Sequence, residues 1–191
     1  MKKIITASMG AALLAATTFA HGESAGYMIE PAHSSVVFEV KHFGTSTIRA
    51  RFNVKSGTIT IDPAAKTGKA DIVVDAASVA SGLPDFNDTL KGAKYFNVET
   101  YPDVTFVATD FRFDGDKITQ VSGSLTMIGK SNPVTLNGTN YNCYQSPVQK
   151  KQVCGGDFVT TIKRSEWNIN GGIPFMSDDT RLLIQIEATR N

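Results

Sequence analysis

The chain has 191 residues, of which 41% are hydrophobic, 19% charged and 9% aromatic, with 19 basic against 18 acidic side chains and a net charge of +1. That is enough chain for one domain with a real core, and the composition excludes disorder, collagen-like repeats and low-complexity sequence. No surplus of positive charge exists to neutralise phosphates, so nucleic acid is not an expected partner.

The first twenty residues read as a separate object. Lys2 and Lys3 precede an uncharged, mostly apolar stretch from Ile4 to Phe19, and Thr18-Phe19-Ala20 offers small residues before a cut. This layout predicts a secretory signal peptide over 1–20 and a single domain over 21–191. The apolar stretch is short for a membrane span of about 20 residues. The short Lys-Lys start suggests the bacterial periplasm. Cys143 and Cys154 are the two cysteines, and an oxidising compartment favours pairing them as a structural staple. The residues between them, with Pro147, Lys150 and Lys151, look like a long exposed turn.

The rest of the chain alternates with period two, the signature of half-buried strands. From Ser35 to Phe43, Val36, Phe38, Val40 and His42 share one face, with Val37 an exception. Ala50, Phe52 and Val54 follow on a second strand, Ile59 and Ile61 on a third, and Ile72 to Val74 on a fourth. Asp62-Pro63 opens a turn that ends near Gly68. Pro84-Asp85 starts the one clear helix, expected over 85–94, where Phe86 and Leu90 make an apolar stripe. Val104 and Phe106 begin a strand whose later residues Phe111 and Phe113 sit on the opposite parity, which predicts a bulge. Asp114-Gly115-Asp116 is a hairpin signal. Leu125 and Met127 lie on the next strand, Gly129 to Pro133 reads as a turn, and Val134 and Leu136 open another strand. Phe158, Thr160 and Ile162 share a face. A short helical turn is expected near Met176 to Asp178, and the last strand places Leu182, Ile184, Ile186 and Ala188 inside, with Leu183 an exception. About eight antiparallel strands with short turns give a sandwich or a barrel. An eight-stranded barrel either fills its interior or holds one small ligand.

Catalytic motifs are missing. There is no G-x-S-x-G elbow, no phosphate-binding glycine loop and no metal-ligand spacing around His33 and His42. No cofactor, metal site or enzymatic activity is expected. The apolar face, with Phe38, Phe52, Phe106, Met127, Phe158 and Trp167, is either ordinary core or cavity lining. A greasy tunnel gains about 0.8 kcal/mol per buried CH₂ of ligand and needs no catalytic groups.

Four segments, taken in order, resemble the YceI-like family of bacterial periplasmic proteins. They are Tyr27-Met28-Ile29-Glu30-Pro31-Ala32-His33-Ser34 running on to His42-Phe43-Gly44; Asp88-Thr89-Leu90 through Phe96 to Phe106; Val121 to Gly129 with Pro133-Val134; and Ile162-Lys163-Arg164-Ser165-Glu166-Trp167-Asn168-Ile169. Glu30 stands where Asp is commoner, and Trp167 where many relatives have Phe. The resemblance implies an all-β fold, an extended antiparallel lipocalin-like barrel of about eight strands with one short helix across it. It also implies a binding or carrier protein that encloses a long-chain amphiphile: a polyisoprenoid, a quinone precursor or a fatty-acid-like lipid. On that reading Val36, Phe38, Val40, Phe52, Val54, Phe106, Met127, Phe158 and Ile162 line the tunnel. Phe86, Leu90 and Phe96 cover one side. His33, His42 or Arg164 meets the polar head, and Trp167 belongs to the same ligand-binding set. Transient contact with a membrane or membrane protein, and a homodimer with tunnels that meet, are compatible with this role. A filled barrel that acts as a structural or interaction protein is the main alternative; an enzyme of lipid or quinone modification is a weaker one.

Overall fold

The computed structural model describes residues 24–191; the export signal expected over 1–20 lies outside the described residues. Nine strands form one antiparallel sheet: β1 (Ala25–Ile29), β2 (Ser35–His42), β3 (Ser46–Asp62), β4 (Thr67–Asp75), β5 (Asp103–Asp114), β6 (Lys117–Met127), β7 (Lys130–Gln145), β8 (Gln152–Lys163) and β9 (Met176–Arg190). From β2 to β9 each strand pairs with the next in sequence, and β9 returns to β2, which closes a barrel of eight positions. The short β1 takes no new position. It pairs with β3 at Tyr27↔Ile59 and with β9 at Tyr27↔Arg190, in the same slot that β2 occupies at Val36↔Phe52 and Val36↔Ile184. A 3-10 turn at Pro31–His33 separates the two pieces. Fully buried Ser34 stitches the break: its hydroxyl donates to the Glu187 carbonyl at 3.2 Å and accepts from the Glu187 N–H at 3.1 Å.

Inside and outside alternate as the strand pattern predicts, and bulges change the parity. On β5 the register shifts between Ala108 and Asp110, so Phe106 and Phe111 both face inward. The same device operates on β3, which is one strand of 17 residues and not two. Its pairing with β4 shifts between Val54 and Ser56, which lets Val54 on one parity and Ile59 on the other both point inside. Gly57 sits beside this bulge, where a Cβ would lie 2.7 Å from the Asp71 carbonyl oxygen. Val37 and Leu183, the two exceptions to the alternation, pair with each other on the outer face.

Three turns differ from the sequence reading. The β6–β7 connection is a two-residue turn, Ile128-Gly129, with both φ values positive, and β7 already begins at Lys130. Pro133 therefore lies within β7, on the part not yet paired with β8, where its missing N–H costs no ladder bond. Met176 to Asp178 is the start of β9, not a helical turn. The β7 and β8 strands run past the cysteines to a Gln145↔Gln152 pair, so the turn between them is shorter than the cysteine spacing suggests.

The helix α1 (Pro84–Lys91) is slightly shorter than the expected 85–94. Pro84 occupies its first turn and Gly92 ends it. With the chain that follows to Pro102, it spans the β4–β5 connection and lies over one end of the barrel. Phe96 descends from this segment onto Phe38 and Phe52, with ring centroids 6.2 and 4.9 Å away. Among the described residues no helix is long and apolar enough to cross a membrane.

Candidate functional site: the barrel interior

The inward faces of the eight positions enclose a cavity of about 200 Å³. That is more than ten times the roughly 10–15 Å³ that admits a single water. The barrel is therefore not a fully packed core. Val36, Phe38 and Val40 of β2, Phe52 and Val54 of β3, Phe106, Met127, Phe158 and Ile162 all line the space. Phe86, Leu90 and Phe96 close it from the helical segment. Sequence reasoning missed Ile59 and Ile61, whose parity fits the interior only because of the β3 bulge, and the three tyrosines Tyr27, Tyr95 and Tyr141. Burial pushes the Tyr141 phenol up to about 12, so it stays neutral.

Three predicted site residues stand elsewhere. His33 is on the outside, with Nδ1 3.4 Å from Glu30 Oε2 and 4.0 Å from Glu187 Oε2. The 3-10 turn that breaks the β1–β2 slot carries it out of the strand alternation. His42 is exposed at the last residue of β2, its ring edge-on to Phe43 at 4.8 Å. There the β2–β9 register has already shifted, so its parity no longer aims it inward. Trp167 is wholly buried but lies behind the wall, in a cluster with Leu125, Met127, Val134, Ile162 and Ile169. Its indole Nε1 donates to the Leu125 carbonyl at 3.0 Å.

Arg164, by contrast, is buried and lines the cavity. It begins the 3-10 turn Arg164–Trp167 that ends β8. Its guanidinium donates to four main-chain carbonyls, those of Ile169 and Gly171 before β9 and of Met176 and Ser177 at its start. Burial holds its pKa below the usual arginine value, while the nearby Tyr95 and Asp178 work the other way.

At the far end of the barrel Cys143 and Cys154 face each other across β7 and β8 and form a disulfide, with Cα atoms 4.1 Å apart. Cys154, Gly155 and Gly156 contribute to the wall there.

A closed antiparallel barrel with a covering helix and an almost wholly apolar chamber defines a single-chamber barrel of the lipocalin-like class. Comparison with known proteins narrows this. The YceI-like domain model matches residues 27–188, and the chain belongs to that family. It is similar to a UPF0312 protein of Pectobacterium atrosepticum, 28% identical and covering 100% of this chain and 98% of that protein. It is also similar to Protein YceI of Escherichia coli O157:H7, 29% identical over 84% of each. Among solved structures, Burkholderia cenocepacia BcnA superposes with a TM-score of 0.66 at 26% identity, covering 84% of this chain and 99% of that one. A polyisoprenoid binding domain from Saccharophagus degradans, described as implicated in plant cell wall breakdown, shares the fold with a TM-score of 0.64 at 19% identity, covering 88% of this chain and 100% of that one.

Proposed function

We propose that this protein is a periplasmic carrier that encloses the hydrocarbon tail of a long-chain amphiphile, a polyisoprenoid or a fatty-acid-like lipid, within the barrel. The observation that carries this reading is the cavity itself. An apolar space of about 200 Å³ forgoes about 5 kcal/mol of packing, at roughly 24 cal/mol per Å³. A chain selected only for a stable barrel would fill it. A tail recovers that loss at about 0.8 kcal/mol per buried CH₂. The family's association with polyisoprenoids and the name of the Saccharophagus domain point to the same ligand chemistry. Among the described residues lining the cavity there is no His, Asp, Glu or Lys to act as acid or base, which favours binding over catalysis.

The test is native mass spectrometry of the mature protein purified from its own periplasm, followed by organic extraction and lipid identification. A stoichiometric long-chain adduct is the expected result. A bare protein that also fails to take up isoprenoid lipids or fatty acids would contradict the proposal.

A further inference from the structure

On the outside of the barrel, at the disulfide end, three metal-ligating side chains meet where β1 breaks into β2. Glu30 follows β1, His33 closes the 3-10 turn, and Glu187 comes from β9. One ligand atom from each lies within 4.8 Å of the other two. His33 Nδ1 is 3.4 Å from Glu30 Oε2 and 4.0 Å from Glu187 Oε2. The main chain that carries them is tied together. The Glu30 N–H donates to the Glu187 carbonyl at 2.9 Å, the His33 N–H to the Glu30 carbonyl at 3.1 Å, and Gln185 Nε2 to the His33 carbonyl at 3.0 Å.

The protein does not balance the charge of this cluster. Among the described residues neither Glu30 nor Glu187 has a Lys or Arg within ion-pair distance, and His33 is the only basic side chain they meet. Glu39, by contrast, holds two arginines. A protonated His33 offsets one of the two negative charges and leaves the other. A divalent cation offsets both and takes the imidazole in its neutral, ligating form. The surrounding bonds hold the carboxylates as outer contacts hold metal ligands. Gln149 Nε2 donates to Glu30 Oε1 at 2.8 Å, and the Thr189 hydroxyl orients that amide by donating to its Oε1 at 2.8 Å. The Tyr144 hydroxyl donates to Glu187 Oε2 at 3.2 Å. Glu30 Oε2, the oxygen nearest His33, accepts no hydrogen bond among the described residues.

We propose that Glu30, His33 and Glu187 form a zinc site that clamps the β1–β2 junction to β9, separate from the lipid chamber. One imidazole with two carboxylates suits Zn²⁺, whereas Mg²⁺ and Ca²⁺ prefer oxygen ligands throughout. Tetrahedral ligation at about 2.0–2.2 Å sets ligand atoms about 3.3–3.6 Å apart. The His33–Glu30 separation of 3.4 Å already meets that spacing, and the Glu187 side chain closes the set by moving about an ångström. Three protein ligands leave a fourth position for water. The sequence shows only Glu30 and His33 three residues apart. The third ligand arrives from the last strand, which is why spacing alone gives no metal signal.

The experiment is a calorimetric titration of the metal-free mature protein with ZnCl₂, with MgCl₂ and CaCl₂ as controls, alongside thermal unfolding with and without zinc. Zinc is expected to bind at one equivalent and to raise the unfolding midpoint, as a ligand of the folded state does. Magnesium and calcium at the same concentrations should do neither. His33→Gln and Glu187→Gln should each weaken zinc binding by at least about tenfold, and His42→Gln should leave it unchanged. His33 is exposed, so His33→Gln should unfold at the wild-type midpoint when zinc is absent, which separates loss of a ligand from loss of the fold. Absence of zinc binding to the wild-type protein would overturn the site. So would zinc binding that persists undiminished in both His33→Gln and Glu187→Gln, which puts the metal elsewhere on the chain. An equal response to magnesium would reduce the effect to general attraction by carboxylates and overturn it as well.

Discussion

The two ends of the barrel are built differently. The helix end is closed by packing: Phe96 over Phe38 and Phe52, and Trp167 of the Arg164–Trp167 turn buried against Leu125 and Met127. It also carries the buried cation of the wall. The opposite end is pinned by cross-links between strands: the Cys143–Cys154 disulfide, the Tyr27 hydroxyl on Gln152 Oε1 at 3.0 Å, and Lys66 reaching the Gly115 carbonyl of the neighbouring turn. One end is held by side-chain packing and by the bonds of Arg164 to main-chain carbonyls. The other is covalently fixed, and its lining is polar only in its tyrosines.

Substitutions at the two ends should therefore act differently. Trp167→Ala empties a fully buried site and should cost about 3–5 kcal/mol of stability in denaturant unfolding. It should also loosen lipid binding, because Leu125, Met127 and Ile162 lose their backing. Breaking the disulfide in a Cys143→Ser, Cys154→Ser double variant should cost about 2–3 kcal/mol for so short a loop. Binding of C16 lipids should persist in that variant. If their binding fell as far as in Trp167→Ala, the contrast between the ends would be wrong.

Effects on ligand length come next. Phe52→Trp and Met127→Trp add bulk to the wall near the helix end and should shorten the usable tunnel. Each excluded methylene should cost about 0.8 kcal/mol, close to fourfold in affinity, so competition between C14, C16 and C20 chains should shift toward the shorter. Unchanged chain-length preference in both variants would remove these residues from the lining of the bound state.

The smallest expected effect is on the outer face. Glu39 accepts from Arg49 Nε at 2.7 Å and from Arg181 Nη1 at 3.1 Å, bridging β2, β3 and β9. The Arg49 hydrogen bond, opposed by partial burial and helped by Arg181, holds its pKa below the usual glutamate value. Its stabilisation is complete above the ordinary glutamate range and is lost as the pH falls through the lowered pKa. Glu39→Gln should cost less than about 1 kcal/mol at neutral pH, and the difference from wild type should vanish in acid. Lipid binding should not change.

Much of this is legible in the sequence, for a physical reason. A barrel with one dry face imposes period two on every strand, so Val36, Phe38 and Val40, and likewise Leu182, Ile184 and Ile186, declare their side by spacing alone. The bulge on β5 is visible because two phenylalanines change parity within one strand. The one on β3 reads as a break between strands, because Gly57 interrupts the run there. β1 escapes notice because five residues carry too little alternation to register, and because it shares a slot with β2. His33 and His42 mislead for the opposite reason. Their residue types suit a polar head, but alternation fails at a 3-10 turn and at a strand end, and those are the places where they stand. Arg164 can be named from sequence, whereas its burial without an ion-pair partner depends on how β8 and β9 meet in three dimensions.

The single tryptophan offers the sharpest test of a lipid held inside the barrel. Trp167 lies one side-chain layer behind Met127 and Ile162 of the cavity wall, and bromine quenches indole fluorescence only at short range. Fatty acids brominated at two positions along the chain would be titrated into the delipidated protein. A lipid held inside the barrel gives saturable quenching at one equivalent by at least one of the two isomers. A mass-detected one-to-one adduct that left Trp167 unquenched by both isomers would place the lipid outside the barrel and contradict the carrier reading.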